Sequence, residues 1–281
     1  MLKQRILTAI GLLAVLLPAI FYPNPMAFAV VAILLVAAGA WEWAKLNALG
    51  SNAGLLAAFA LALCCIASWW FGLLDQRLTF LWVLTGAIWV LGGAWLLRGG
   101  TSAWSSLPHG VRLALGFFAL WAAWLAIVQA RQRGINFMIS SMVLVWVADV
   151  FAYFAGRTFG GKFFSRKLAP TISPGKTWEG ALGGLIGVLV VALLWRGFDA
   201  SSGSSDSSVF SQLGQGGLLF LILAVCFLSA MSVVGDLVES LFKRSAGVKD
   251  SSGLLPGHGG VLDRLDALLP VLPLIMMLTS L

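Results

Sequence analysis

The feature that most constrains this chain is a series of apolar runs, each long enough to cross a membrane. A helix needs about 20 mainly apolar residues to span a hydrocarbon layer of ~30 Å. Of the 281 residues, 60% are hydrophobic and 10% are charged, a balance that no soluble core requires. We therefore predict an all-α, polytopic integral membrane protein with about nine transmembrane helices. The nine apolar runs lie at 6–22, 26–46, 54–73, 79–97, 113–130, 136–155, 178–195, 216–242 and 265–281.

The distribution of Lys and Arg predicts the orientation in the membrane. If the N-terminus is cytoplasmic, the inner segments hold 14 of the 18 basic residues and the outer segments hold 4. Cytoplasmic segments carry such an excess. The start of the chain also resembles a secretory signal, but Pro23 and Pro25 lead directly into another span, which favours an uncleaved first helix. We expect a protein of the cell membrane with a cytoplasmic N-terminus.

Charged residues are concentrated in the second half of the chain. The first five spans contain hardly any ionisable side chain except Glu42. We divide the chain into an N-terminal transmembrane scaffold of about five helices, 1–135, and a C-terminal catalytic region of about four helices with two basic cytoplasmic loops, 136–281. The net charge of +7 is concentrated beside the membrane in these loops, which favours anionic lipids and soluble phosphates over nucleic acid as partners.

Four acids lie inside or at the ends of the later apolar runs, namely Asp149, Glu179, Asp236 and Glu239. A carboxylate within a span costs ~2.5–3.5 kcal/mol on insertion scales, so each needs a partner or a function. All four are predicted toward the cytoplasmic face. A proton or ion relay more often places acids near the midplane, so the pattern favours a site open to the cytoplasm. A transporter or channel that uses these buried carboxylates is the alternative.

Four polar residues of the eighth run form one stripe. Asp236, Glu239, Ser240 and Lys243 have the spacing i, i+3, i+4 and i+7, which places them on one helix face. The stripe is either part of a site or a helix contact held by a Glu239–Lys243 pair. For Asp236 a purely structural role is the weaker interpretation, because it does not explain the further acids that follow.

A turn with the sequence Pro256-Gly257-His258-Gly259-Gly260 follows this helix. Proline excludes regular helix, and glycines allow backbone N–H groups to approach phosphate oxygens. His258 could be a base, a phosphate donor or a residue that stabilises the turn. Cations suited to phosphate surround the turn, and so do acids suited to Mg²⁺, which together predict binding of a metal-bound polyphosphate. The cations are Lys243, Arg244, Lys249 and Arg264, and the acids are Asp236, Asp263 and Asp266.

The other basic loop contains Ser173-Pro174-Gly175-Lys176-Thr177. A P-loop is excluded, because that motif needs glycine at position 170, which is Pro170 here, and a preceding strand. The loop is predicted to lead into a helix capped by Ser173 or Thr177. Lys176 then faces an anion or is an ordinary positive-inside residue, and its position beside Thr177 and Glu179 favours function.

These segments together resemble the phosphatidate cytidylyltransferase (CDP-diglyceride synthase) family. The match is long and ordered in the second half, whereas the first half matches only as a run of spans. The C-terminal signature consists of Ser240-Leu-Phe-Lys243-Arg244, Lys249-Asp250 and His258-Gly259-Gly260-Val-Leu-Asp263-Arg264-Leu-Asp266. The upstream segments are Asp149-Val-Phe-Ala-Tyr153-Phe-Ala-Gly156-Arg157, Ser173 to Gly180 and Gly235-Asp236-Leu-Val-Glu239-Ser240.

The resemblance implies a membrane enzyme that joins CTP, or dCTP, to phosphatidic acid and forms CDP-diacylglycerol and pyrophosphate. It implies Mg²⁺ held by Asp236 and Asp263, K⁺ as a second cation, and a homodimer among membrane lipids. Under this hypothesis an Asp263→Asn variant loses activity and keeps its fold. The expected catalytic residues are Asp236, Lys243, Arg244, Lys249, Asp250, His258, Asp263, Arg264 and Asp266. The expected substrate-binding residues are Asp149, Tyr153, Arg157, Ser173, Lys176, Thr177, Glu179, Glu239, Ser240, Gly259 and Gly260.

Overall fold

The computed structural model describes residues 2–203 and 206–280, and these form a helical bundle. Within these ranges the only β-type pairing consists of two isolated bridges, Ala169 with Ser173 and Leu255 with Gly259. The helices are α1 Leu2–Phe21, α2 Met26–Leu46, α3 Ser51–Trp70, α4 Thr79–Ala87, α5 Gly93–Ser106, α6 His109–Arg133, α7 Ile135–Phe159, α8 Trp178–Ser202, α9 Val209–Leu213, α10 Leu218–Ser245, α11 Leu262–Leu265 and α12 Leu268–Leu278. A π-helical segment, Ile88–Gly92, joins α4 to α5.

Eight helical segments of the described chain are long and apolar enough to cross a membrane, which confirms the all-α polytopic fold. They correspond to the first eight predicted spans, with α4 and α5 together forming one of them. The ninth run forms the single turn α11 and then α12. At ~1.5 Å per residue, α12 is about 17 Å long, which is less than a bilayer core.

Helix α12 is an internal element of the bundle. All residues of its segment 268–276 are buried, and it packs against α4, α6 and α10. Near its end, Thr279 accepts a hydrogen bond of 2.7 Å from Arg133, the last residue of α6. The helix therefore runs from the end of α10 toward the end of α6, at the opposite end of the bundle.

Glycines allow α7 and α8 to pack closely, and this contact positions part of the site. A Cβ atom at Gly184 would lie 2.7 Å from the carbonyl oxygen of Ala148, and one at Gly183 would lie 2.2 Å from the Cβ of Ala155. Small residues at such positions let helix backbones approach each other in membranes. The end of α7 and the start of α8 thus lie side by side.

Candidate active site

A polar cavity of about 470 Å³ opens where α7 ends and α8 begins. Lys176 forms an ion pair with Asp236, which joins the loop before α8 to α10. On the α7 side, Arg157 donates a 3.0 Å hydrogen bond to the hydroxyl of Tyr153. The polar and charged residues that line the cavity are Asp149, Tyr153, Arg157, Lys176, Thr177, Ser229 and Asp236.

Two carboxylates, Asp149 and Asp236, line this cavity, and a third, Asp266, lies near them. Asp149 and Asp266 each interact electrostatically with Asp236, and Asp266 also interacts with Asp149. The ammonium group of Lys176 offsets part of this charge. One oxygen of Asp266 accepts the N–H of Ala267 at 2.7 Å. The carboxylates of Asp149 and Asp236 offer oxygen ligands to a cation in the cavity.

Asp263 lies at a second charged centre and accepts four hydrogen bonds. Its Oδ1 accepts from Lys243 at 2.6 Å. Its Oδ2 accepts from the N–H and hydroxyl of Ser251, both at 3.0 Å, and from the N–H of Gly260 at 2.7 Å. Burial disfavours the charged form, but these donors prevail and lower the pKa of Asp263 to about 2. Each carboxylate oxygen offers about two lone-pair sites, so Oδ2 is fully used by its three donors, whereas Oδ1 has one donor, Lys243.

Lys243 links Asp263 to the polar stripe of α10. It forms an ion pair with Glu239, which is only 3% exposed. Among the described residues this pair is the only polar contact of the Glu239 carboxylate. The Glu239–Lys243 pair, considered from the sequence as a helix contact, is therefore present. Because Lys243 also reaches Asp263, the contact belongs to the charged centre.

Glu42 of α2 is a positioning residue that sequence reasoning missed. It is fully buried and accepts hydrogen bonds from the hydroxyls of Ser251 at 3.2 Å and Ser252 at 2.5 Å. It also accepts from the N–H groups of Val261 at 2.9 Å and Leu262 at 2.6 Å. Glu42 thus ties the middle of the loop between α10 and α11 to the start of α11. The sequence did contain a sign of this role, because Glu42 is almost the only ionisable residue in the first five spans.

The glycine turn folds back over these carboxylates. Gly257 and Gly259 have positive φ angles of 77° and 82°, which favour glycine. A Cβ atom at Gly259 would lie 2.7 Å from Asp263, and one at Gly260 would lie 2.5 Å from Glu42. The N–H of Gly260 binds Asp263, so this amide is engaged within the protein.

His258 and the cations near the turn are placed as follows. The carbonyl oxygen of His258 accepts from Arg264 at 2.7 Å, while its ring Nδ1 is buried without a hydrogen-bond partner among the described residues. Arg244 points to the carbonyl oxygens of Ile172, at 3.4 Å, and Val248, at 3.3 Å. It thereby connects the two basic loops. Lys249 and Asp250 are exposed on the loop after α10.

The loop before α8 is ordered by its own polar residues. Glu179 accepts from the N–H groups of Gly161, Phe163 and Phe164 at 3.0 to 3.1 Å, and does not line the polar cavity. Thr177 caps α8 by accepting the N–H of Gly180 at 3.1 Å. Thr177 is therefore the cap, rather than Ser173. Glu179 and Thr177 together hold the loop in the conformation that places Lys176 at the polar cavity.

Asp236 has the clearest capacity to bind a metal ion. It is 30% exposed, one oxygen is paired with Lys176, and the other has a 3.4 Å contact with the hydroxyl of Ser240. No group of three or more acid, histidine or cysteine side chains in the described chain has a metal-binding arrangement. Mg²⁺ usually needs only one or two carboxylates together with substrate phosphates. Asp236 fits this requirement, whereas Oδ2 of Asp263 is occupied by three donors and its Oδ1 is shared with Lys243.

The fold and the site together define a polytopic membrane protein with a charged site, rich in lysine–carboxylate pairs, at one end of its bundle. The sequence profile of the Cytidylyltransferase family matches residues 3–281, so the chain belongs to this family.

Similar proteins cover almost the whole chain. It is 39% identical to the phosphatidate cytidylyltransferase of Pseudomonas aeruginosa over 97% of this chain and 95% of that protein. It is 36% identical to the phosphatidate cytidylyltransferase of Haemophilus influenzae over 97% and 96%. The Bacillus subtilis phosphatidate cytidylyltransferase is 40% identical over 53% of this chain and 49% of its own length. The resemblance found in the sequence motifs is thus confirmed over nearly the full length.

Proposed function

We propose that this protein is a nucleotidyltransferase that transfers CMP from CTP to phosphatidic acid, forming CDP-diacylglycerol and pyrophosphate for phospholipid synthesis. The observation that carries the proposal is the near full-length similarity to two phosphatidate cytidylyltransferases. The charged site supports it, because Lys176, paired with Asp236, lines a cavity in a membrane-spanning bundle, and Lys243 pairs with Asp263 at the neighbouring charged centre. Such a position is accessible to a soluble nucleotide and to a lipid head group.

The geometry suits an in-line transfer. A phosphate oxygen of phosphatidic acid attacks the α-phosphorus of CTP, a new P–O bond forms, and the bond to pyrophosphate breaks. The attacking phosphate is already ionised, so no residue needs to remove a proton, and no covalent enzyme intermediate forms. Lys176, Lys243 and Arg157 supply positive charge for the phosphates, and partial burial strengthens the effect of the two lysines.

The proposed reaction uses Mg²⁺ bound by Asp236, with Asp263 as the second acid. When bound, the ion neutralises phosphate charge and orients the reacting groups. The position of Asp149 in the same cavity as Asp236 supports this location, because it offers further oxygen ligands to a cation. K⁺ as a second cation, a homodimer and acceptance of dCTP stay predictions from the family resemblance.

We also propose that the site faces the cytoplasm. The basic loops that carry it account for much of the 14 to 4 excess of Lys and Arg on one side of the predicted topology. CTP, as a soluble and highly charged molecule, then reaches the polar cavity without crossing the bilayer.

Labelled CTP and phosphatidic acid, supplied to the purified protein in detergent, test the function. We expect a labelled CDP-lipid that requires both substrates, with one pyrophosphate released per lipid formed. A protein that forms no CDP-lipid but carries ion flux in sealed vesicles would instead be the transporter or channel considered from the sequence. Nothing in the comparisons favours that alternative.

A further inference from the structure

A second cavity, here called the apolar cavity, lies beside α10 and does not share the polar residues of the first. Its volume is about 130 Å³. Helix α10 contributes Val238 and Phe242 to the apolar cavity, but Val233 and Asp236 to the polar cavity. Since successive residues of a helix point in different directions, the two cavities lie on different sides of α10.

The walls of the apolar cavity come mainly from the first half of the chain. They include Trp89 and Leu96 from the π-helical segment and α5, Trp104 near the end of α5, and Leu120 from α6. These elements belong to helices that are long and apolar enough to span a membrane. In that environment hydrocarbon is the abundant material that fits such walls.

The apolar cavity connects to the candidate active site through Glu239. This residue lines the cavity, and its ion pair with Lys243 offsets its charge. The ammonium group of Lys243 also binds Asp263, 2.6 Å away. A lipid whose phosphate reaches Lys243 therefore has an apolar space directly beside its head group.

The π-helical segment Ile88–Gly92 provides space on one wall. Segments of this kind are rare and frequently occur at functional sites. Gly92 lines the apolar cavity, and a Cβ atom added there would meet no other atom within 4 Å. By contrast, Gly93 packs against α10, since its added Cβ would lie 2.9 Å from Val234.

We propose that the apolar cavity binds part of one acyl chain of phosphatidic acid, while the nucleotide occupies the polar cavity across α10. This inference rests on the proposed function and adds the location of the lipid chain. It assigns lipid binding to residues of the N-terminal half, where the sequence contains no motif. The length of the acyl chain then affects kcat/KM through its contacts with the walls of the apolar cavity.

A Gly92→Leu variant tests the proposal by filling the apolar cavity. We expect kcat/KM for dioleoyl phosphatidic acid to fall about tenfold or more, as for altered hydrophobic pockets. The value for water-soluble dibutyryl phosphatidic acid and the KM for CTP should not change. Gly11→Leu is the matched control, because Gly11 also has no atom within 4 Å of an added Cβ but lies in α1, away from the cavity.

Two results overturn the proposal. One is that Gly92→Leu has the same kcat/KM as Gly11→Leu for both lipids. The other is that Gly92→Leu loses kcat/KM equally for the dioleoyl and the dibutyryl lipid. If the wild-type protein converts neither lipid, the proposed function itself fails.

Photo-cross-linking tests binding without catalysis. Phosphatidic acid with a diazirine in one acyl chain should label peptides from 88–96 or 104–120 in the wild-type protein, and labelling should decrease in Gly92→Leu. Labels confined to α1 and α3 would overturn the proposal whether or not the protein is active.

Discussion

Asp236 and Asp263 have the same side chain but different surroundings. Asp236 is partly exposed at the polar cavity and has one main partner, Lys176. Asp263 accepts four hydrogen bonds from Lys243, Ser251 and Gly260. The sequence predicts both as metal ligands with one role. The structure gives Asp263 an additional task, which is to hold the loop between α10 and α11.

Exchanging each acid for its amide separates these roles. We expect Asp236→Asn to lower kcat by about 100-fold or more, because the proposed Mg²⁺ loses its carboxylate ligand, and to keep the wild-type melting temperature. Asp263→Asn should lose activity and also stability, since a lost hydrogen bond to a charged group costs about 1.5–3 kcal/mol. Rate and thermal unfolding in detergent check both. An Asp263→Asn protein with the wild-type melting temperature would contradict the role of Asp263 in holding the loop. It would instead agree with the expectation from sequence that this variant loses activity and keeps its fold.

Glu42 allows a separate test of loop anchoring. In Glu42→Gln an amide replaces one acceptor oxygen that faces donors at Ser252 and Val261, so we expect a loss of about 1.5–3 kcal/mol in unfolding free energy. The loop 246–260 should also become sensitive to protease. Asp75→Asn is the matched control, because Asp75 is exposed and makes one 3.3 Å contact with Gln132. Equal behaviour of the two variants would show that Glu42 does not anchor the loop.

At the scale of elements, the contact between α7 and α8 determines the width of the polar cavity. Helix α7 supplies Asp149 and Arg157, and the loop that enters α8 supplies Lys176. Their closeness depends on glycines of α8 that face α7, such as Gly184. The composition of α8 made close packing foreseeable, but the sequence did not reveal which helix was its partner.

A Gly184→Leu substitution should push the two helices apart. The added side chain would meet the backbone of α7 near Ala148, and overpacking of this kind costs typically 1–3 kcal/mol. We expect lower activity and a lower melting temperature. Gly197→Leu is the matched control on the same helix, because an added Cβ there has no atom within 4 Å. If both variants retain full activity, the α7–α8 contact does not control the site.

At the scale of the whole molecule, hydropathy predicted the fold class and the first eight spans. It could not distinguish the last run as a short internal helix, because a buried helix and a membrane span are equally apolar. From the polar stripe on α10 and the spacing of the motifs, the sequence correctly grouped Lys243 with Asp263, which are in contact. Sequence could not place Glu42 beside Ser251, since 209 residues separate them. The division into halves at residue 135 stays a prediction, although Glu42 shows that the first half contacts the site.

The orientation of the molecule is also testable as a whole. In a background whose three cysteines are replaced by alanine, we expect Lys249→Cys to react with an impermeant maleimide only after the membrane is opened. Gln76→Cys, at the opposite end of the bundle, should react in intact cells. The reverse pattern would place the charged site outside and contradict the predicted topology.

The central claim is that the lysine–carboxylate site around Asp236 transfers CMP to a lipid with the help of a divalent cation. The most direct measurement is the rate of CDP-diacylglycerol formation by purified wild-type and Asp236→Asn proteins, each with Mg²⁺ and with excess EDTA. The account predicts product only from the wild-type protein with Mg²⁺. Product formation that is unchanged by EDTA, or near wild-type activity of a folded Asp236→Asn protein, would contradict it.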